Sequence, residues 1–143
     1  MASKVLVPLC PGFEEMEAII LIDVLRRGKV EVVSVSKTKE PIIASRNTIH
    51  LADKTFSEVK ADDFDAMILP GGLNGTKNLL AEGEVHSLLH SFHNSQKHIA
   101  AICAAPAVLR KLKIHFKRGS LHSISFNRRF GKRRRWKVYR ESN

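Results

Sequence analysis

Cysteine is scarce in this chain of 143 residues, which contains only Cys10 and Cys103. Two thiols so far apart do not make a disulfide framework, so the small secreted domains that depend on one are excluded. Long apolar runs are also lacking: no segment approaches the roughly 20 residues that cross a bilayer, and no signal-peptide core follows Met1. We therefore expect one soluble domain in the cytoplasm, with no membrane partner.

Acidic residues are nearly absent from the last part of the chain. Residues 1–109 contain 11 Lys and Arg against 13 Asp and Glu, whereas residues 110–143 contain 13 Lys and Arg and one acid. A single globular domain rarely divides its charge in this way. The sequence therefore predicts a folded domain over 1–113 and a divergent basic tail over 114–143. Nuclear targeting or nucleic-acid contact is one interpretation of the tail, and a solvated segment is another.

Short apolar runs alternate with amphipathic segments along the first 113 residues. Strands are predicted at residues 4–7, 30–36, 65–69 and 99–102, with a small hairpin at 42–43 and 48–51. Helices are predicted at 14–27, 75–81, 84–96 and 107–113, the first with Met16, Ile19, Ile20 and Val24 on one face. The alternation predicts an α/β fold with a three-layer, doubly wound, mostly parallel sheet.

Cys103 ends the last of these apolar runs and is followed by Ala104, Ala105 and Pro106. A nucleophile at a tight strand-to-helix turn is typical of a nucleophile elbow, and Pro106 suits the first turn of a helix. The N-terminus of that helix predicts a lowered pKa for the thiol, because it favours the thiolate. A buried structural cysteine is the alternative interpretation.

Two further strand ends contain candidate functional groups. Glu14 and Glu15 open the first predicted helix and are explained by complementation of its dipole, whereas Glu17 lies further in and can face the sheet edge. Gly71 and Gly72 follow the third predicted strand, where they form a tight turn or offer backbone N–H groups to an anion. Functional groups of such folds gather at the carboxyl ends of strands, so the thiol, the acid and the glycine pair predict one site.

Four segments, in this order and at suitable spacing, resemble the ThiJ/PfpI superfamily, in particular the branch of the parkinsonism-associated protein deglycase. They are residues 12–17 (GFEEME), 23–27 (DVLRR), 69–72 (LPGG) and 101–106 (AICAAP). The resemblance covers about residues 4–109 and implies a flavodoxin-like, class I amidotransferase-like fold.

The resemblance also implies roles for individual residues. Cys103 is expected to be an easily oxidised nucleophile, and Glu17 is expected to contact its sulfur and to support its thiolate and sulfinate forms. Gly71, Gly72 and Ala104 are expected to lend backbone donors. His122 matches a family histidine near the thiol only faintly, and an unrelated tail histidine is the alternative.

Arg46 matches a family arginine near the pocket and the dimer interface, and a solvated loop cation is the alternative. Three departures refine the branch. Ala104 stands where the protease-like branch has His, and Val108 and Leu109 offer no Gln of the amidotransferase kind, so neither activity is expected. Ala105 stands where the deglycase branch has Gly, and its methyl group is expected to tighten the elbow.

The activities that the resemblance implies are deglycation of glyoxal-modified protein or nucleotide groups, glyoxalase chemistry without glutathione, redox sensing and chaperoning. Small reactive aldehydes are the implied substrates, with no cofactor and no metal. Members are commonly homodimers, often with the helix predicted at 14–27 at the interface. The alternative function is a catalytically impaired paralogue that acts as a chaperone, a dimer partner or a basic-tailed nucleic-acid binder.

A third interpretation explains the basic tail over 114–143 best. The family continues after Leu109 with strands, a Gly-rich segment and closing helices that are not recognisable here, so a truncated, frame-shifted or alternatively spliced end is expected. Such an end predicts incomplete cover on one side of the sheet, with exposed apolar surface.

Two remaining features are expected to be structural. His86, His90 and His93 form a stripe on one helix, but no carboxylate or thiol is grouped with them, so no metal site is expected. Cys10 ends the first strand and is expected to be a packed small residue rather than a second redox thiol.

Overall fold

The computed structural model of the protein describes residues 3–114 and the short segments 123–124 and 138–139. The strands are β1 (Lys4–Pro8), β2 (Glu31–Ser36), β3 (Ile42–Ile43), β4 (Ile49–His50), β5 (Lys54–Thr55), β6 (Ala66–Leu69), β7 (His98–Ala101), β8 (Ser123–Ile124) and β9 (Val138–Tyr139). Five of them form one parallel sheet in the order β5-β2-β1-β6-β7. Two further pairs are antiparallel, β3 with β4 and β8 with β9.

The helices are α1 (Glu15–Arg27), α2 (Leu73–Ala81), α3 (Gly83–Asn94) and α4 (Pro106–Lys111), with short 3-10 helices at Phe56–Glu58 and Ala61–Asp63. Each α-helix begins and ends within two residues of its predicted bounds. Pro106 occupies the first turn of α4, as expected. Within residues 3–114 and the two short segments, no helix is both long and apolar enough to cross a bilayer.

Two apolar cores cover the two faces of the parallel sheet. On one face, Leu79 of α2, Leu89 of α3 and Val108 of α4 pack with strand residues such as Met67. On the other face, Ala18 and Ile22 of α1 and Ile42 of β3 pack against Val5, Val7 and Val32. The prediction of a three-layer, doubly wound α/β fold is therefore confirmed.

The apolar face predicted for α1 points away from the sheet. Met16, Ile20 and Val24 are 68%, 57% and 58% exposed, because the inward face of the helix is instead made by Ala18 and Ile22. The β3–β4 hairpin adds further exposed apolar side chains, namely Ile43, Ile49 and Leu51. The large exposed apolar side chains of the described residues thus lie on α1, on this hairpin and at Leu73, and none belongs to the five-stranded sheet.

Candidate active site

Cys103 lies at the turn between β7 and α4 in a strained backbone conformation. Its φ is +55°, in the left-handed region that residues other than glycine rarely adopt. The turn is held on both sides, because Ile102 N donates to Leu69 O at 3.1 Å and Ala105 N donates to Ile102 O at 3.0 Å. The thiol is exposed, and strain of this kind clusters at functional sites. These features match the predicted nucleophile elbow and exclude a buried structural role for this thiol.

Ala105 is fully buried and has φ −65° and ψ −24°, which is ordinary helical geometry. A glycine in its place would therefore gain nothing from its access to positive φ. The expectation that its methyl group tightens the elbow stays a prediction, and the residue of the turn with a strained backbone is Cys103 itself.

The glycine pair after β6 lets two loops touch backbone to backbone. A Cβ on Gly71 would lie 2.5 Å from Glu17 Oε2 and 2.7 Å from Cys103 Cβ. A Cβ on Gly72, whose φ is +93°, would lie 2.6 Å from Glu14 N. Because both positions lack a side chain, the loop before α1 packs directly on the glycine pair, with Glu14 N donating to Gly71 O at 3.0 Å.

Glu17 and Cys103 are brought into contact by this packing. Gly71 N donates to Glu17 Oε2 at 2.8 Å, and a Cβ on Gly71 would touch both that oxygen and Cys103 Cβ, so the carboxylate lies beside the thiol. The backbone N–H groups of Gly72 and Ala104 act to lower the pKa of the Cys103 thiol. Gly71 therefore orients the acid, while Gly72 and Ala104 are the donors at the sulfur.

The pKa of the Cys103 thiol is raised above its ordinary value, so the expectation of a lowered pKa is wrong. Burial of part of the side chain is the largest cause, followed by the hydrogen bond to Glu17 and the charge of that carboxylate. The N–H groups of Gly72 and Ala104 act in the opposite direction and do not outweigh these effects. The α4 helix has only six residues, and a nearby negative charge opposes a second one at the sulfur.

Glu15 is a structural centre that the sequence pattern did not reveal. Its Oε1 accepts hydrogen bonds from Arg46 N at 2.7 Å and Thr48 Oγ1 at 3.1 Å, and its Oε2 accepts one from Ser45 Oγ at 2.6 Å. The bond from Ser45 is the largest of the causes that lower the pKa of Glu15 to about 2. The helix dipole, which we invoked for this residue, does not explain side-chain contacts with a hairpin 30 residues away.

The weaker candidates are placed as follows. Arg46 is exposed on the turn between β3 and β4, and its guanidinium Nη1 donates to Ser45 O at 3.3 Å. His122 lies outside the described residues, so its role stays a prediction. His86 is hydrogen-bonded through Nε2 to Leu80 O at 2.8 Å. Among the residues that the structure describes, no group of three or more metal-ligating side chains is assembled.

Cys10 is buried at the end of β1. Burial is the largest cause that raises the pKa of its thiol to about 12, and the charge of Glu82 acts in the same direction. An enclosed thiol of this kind is a poor nucleophile at neutral pH, as expected of a packed small residue.

Comparison with known proteins gives relatives of the predicted kind. The chain is 44% identical over 112 residues to "Protein dj-1beta" of Drosophila melanogaster, which covers 78% of this chain and 60% of that protein. It is 38% identical over 97 residues to "Glutathione-independent glyoxalase DJR-1.2" of Caenorhabditis elegans, which covers 67% and 51%, respectively. The crystal structure of Drosophila melanogaster DJ-1beta superposes with a TM-score of 0.76 at 42% identity, covering 79% of this chain and 61% of that one.

The chain thus spans about 60% or less of the length of these relatives. The sequence profile of the DJ-1/PfpI family matches residues 3–122, which extends past Leu109, where we had expected the resemblance to end, and includes His122. The profile match over residues 3–122 and the relatives at more than 30% identity show that the chain belongs to the DJ-1/PfpI family.

Proposed function

We propose that this protein is a cysteine-dependent glyoxalase and deglycase that works without glutathione, and that Cys103 also acts as a redox-sensing thiol. The observation that supports this most directly is the Glu17 carboxylate, held by Gly71 N beside an exposed thiol on a strained turn. The relative named as a glutathione-independent glyoxalase supports the reaction class. The substrates are methylglyoxal and the early adducts that it forms with protein or nucleotide groups.

The first step is addition of the Cys103 sulfur to the aldehyde carbon. The sulfur–carbon bond forms, the thiol proton passes to Glu17, and the carbonyl electron pair moves onto the oxygen. The N–H groups of Gly72 and Ala104 are positioned to stabilise charge beside the sulfur. Glu17 then returns the proton to that oxygen, which yields a neutral hemithioacetal.

The second step moves hydrogen between the two carbons of the substrate. Glu17, with His122 as a candidate helper, removes the proton from the hemithioacetal carbon, and the electron pair forms an enediol. Protonation of the adjacent carbon gives a thioester of lactate, and water cleaves it to lactate and the free thiol. One carbon is oxidised while its neighbour is reduced, so the reaction needs no external oxidant.

The test is consumption of methylglyoxal and release of lactate by the purified full chain without glutathione. Wild type is expected to turn over, and Cys103→Ala is expected to abolish turnover. Cys10→Ala is the matched control and should keep most of the activity, because that thiol is enclosed. A wild type that consumes no methylglyoxal, or activity that survives in Cys103→Ala, would contradict the proposal.

We also propose that the protein forms a homodimer through α1. The exposed apolar side chains Met16, Ile20 and Val24 on one helix face support this, because exposed apolar patches mark interaction surfaces. Ile20→Glu should convert a dimer to a monomer in analytical ultracentrifugation, whereas Ser87→Glu, at an exposed position of α3, should not. A monomeric wild type at micromolar concentration would contradict the dimer.

A second candidate function is a catalytically impaired paralogue that acts as a chaperone or as a dimer partner of a longer family member. The same exposed face supports it. Suppression of client aggregation by both the full chain and Cys103→Ala, with no glyoxal turnover in either, would favour this function over catalysis.

A further inference from the structure

The first turn of α1 is held from two sides by two carboxylates that flank an exposed residue. Glu17 reaches the elbow through Gly71 N, and Glu15 reaches the β3–β4 hairpin through its contacts with the turn. Met16 between them is 68% exposed, whereas Glu15 is only 8% exposed. The two side chains therefore leave the same helical turn towards different parts of the molecule.

Glu15 makes the denser of the two attachments. Three donors from the turn converge on its two oxygens: Ser45 Oγ at 2.6 Å, Arg46 N at 2.7 Å and Thr48 Oγ1 at 3.1 Å. The turn is also tied to the loop before the helix through its backbone, since Ser45 N donates to Phe13 O at 2.8 Å. The hairpin and the start of α1 thus form one unit around a nearly buried carboxylate.

No side-chain cap replaces this attachment. Glu14, the residue before α1, makes no side-chain hydrogen bond to the N–H groups of the helix, and its carboxylate instead accepts from Ser45 Oγ at 2.7 Å. A hydroxyl has one proton to donate, so Glu14 and Glu15 compete for the same donor. Arg46 N is the donor that Glu15 alone holds, since Thr48 Oγ1 also hydrogen-bonds to His50 Nε2 at 2.8 Å.

We propose that Glu15 is a positioning residue for the reaction at Cys103: by fixing the first turn of α1 on the hairpin, it sets where the Glu17 carboxylate meets the sulfur. This inference rests on the proposed function for its kinetic consequence. A small rotation of this first turn about the axis of α1 would move the Glu17 carboxylate away from both Gly71 N and the thiol. Misplacement of a catalytic group by about 1 Å can cost on the order of 100-fold in rate.

The test uses full-length variants and two readouts. Glu15→Ala removes the acceptor for all three donors and is expected to lower kcat for methylglyoxal about 10- to 100-fold, with a smaller change in KM. The pH profile of Cys103 alkylation, followed by peptide mapping, is expected to move to lower pH, because Glu17 no longer opposes the thiolate from a fixed place.

Two variants separate positioning from general loss of structure. Glu15→Gln keeps one oxygen for Arg46 and Thr48, and its amide can donate to the Ser45 hydroxyl, so it should restore most of kcat and the wild-type alkylation profile. Glu58→Ala is the matched control, since Glu58 likewise accepts from Thr55 N at 2.8 Å and Thr55 Oγ1 at 2.9 Å, but caps a 3-10 helix away from the elbow. It should leave the Cys103 profile unchanged.

A folded Glu15→Ala with wild-type kcat and an unmoved alkylation profile would overturn the proposal, as would an equal shift in Glu58→Ala. If Glu15→Ala does not fold, Thr48→Val removes one donor and must then move the profile in the same direction. Alkylation needs no turnover. A wild type that consumes no methylglyoxal would therefore refute the proposed function, while the profile still decides the role of Glu15.

Discussion

At the scale of single residues, the resting state of Cys103 determines how the site must work. Burial and the neighbouring Glu17 carboxylate raise the pKa of the thiol, which favours its protonated form. Reactivity then depends on transfer of that proton to Glu17 as the substrate is attacked. The same carboxylate that suppresses the free thiolate is the group that accepts its proton.

This arrangement predicts that Glu17→Gln changes thiolate formation and catalysis in opposite directions. Loss of the negative charge should lower the pKa of Cys103, so alkylation by iodoacetamide near neutral pH becomes faster. Turnover of methylglyoxal should fall by about 100- to 10,000-fold, since an amide cannot exchange the proton. Stopped-flow alkylation and lactate release measure the two effects.

Glu14→Gln is the control, because its side chain contacts Ser45 rather than the thiol. It should alter both rates far less than Glu17→Gln. Slower alkylation in Glu17→Gln would show that the carboxylate supports the thiolate instead of opposing it.

The two cysteines should also oxidise in a fixed order. Cys103 is exposed, whereas Cys10 is buried with a pKa raised to about 12, and susceptibility follows exposure and thiolate character. Under graded peroxide, peptide mapping should find sulfinic acid at Cys103 while Cys10 is still reduced. Oxidation of Cys10 first would contradict the assignment of the elbow.

At the scale of secondary-structure elements, the hairpin and the start of α1 should loosen in acid. The pKa of Glu15 is lowered to about 2, chiefly by Ser45, so its ionised form stabilises the fold. That contribution is complete above the unfolded value of about 4.3 and is lost as pH falls towards 2. Thermal unfolding followed by circular dichroism between pH 5 and 2 should show a steeper loss of stability for wild type than for Glu15→Gln.

Glu58 should also make the fold less stable as pH falls, because its pKa is likewise lowered to about 2, mainly by Thr55 N. The stability of the double variant Glu15→Gln, Glu58→Gln should therefore depend less on pH between 5 and 2 than that of either single variant. Equal slopes in wild type and Glu15→Gln would mean that the carboxylate is not held in the folded state as described.

The elements themselves were largely predictable from sequence. Strong periodicity located β1, β2, β6, β7 and the four helices within about two residues, because each buries one continuous face. The two-residue strand β5 and the 3-10 helices were missed, since segments this short have no period to detect. The outward direction of the Met16–Val24 stripe was also hidden, because α1 is apolar on two faces and periodicity does not say which one meets the sheet.

The positions of the site residues were predictable where a motif specified the geometry. The prediction failed where the outcome depended on interacting charges. Cys103, Glu17, Gly72 and Ala104 converge as expected because strand ends of a parallel sheet share one edge. The direction of the Cys103 pKa shift required the contact with Glu17, which no local pattern contains. The role of Glu15 depends on a turn 30 residues away and is equally invisible in its own neighbourhood.

At the scale of the whole molecule, the charge is unevenly distributed, so polyanion binding should belong to the basic tail and the thiol chemistry to the rest of the chain. Residues 110–143 hold 13 Lys and Arg against one acid, so we expect them to dominate binding to polyanions and to favour a nuclear fraction of the protein. A chain ending at Lys113 should lose retention on heparin, and retention of the full chain should fall steeply as salt rises. Equal retention by both chains would contradict this role of the tail.

The shortened chain also tests the predicted domain boundary at 113. Circular dichroism should show the same fold in both chains if residues 1–113 form the domain. Loss of folding on shortening would show that later residues belong to it, in line with a family match that reaches residue 122, and would strengthen His122 as a site residue.

The central place of β1 has a consequence for the newly made protein. Lys4–Pro8 is synthesised before both of its partners, since Val5 pairs with Val32 of β2 on one side and with Ala66 of β6 on the other. Its apolar side chains therefore stay unpaired until β6 has been synthesised, and unpaired strands are open to aggregation during that time. The N-terminal strand is the segment that a cotranslational chaperone should bind, and its release should coincide with the emergence of β6.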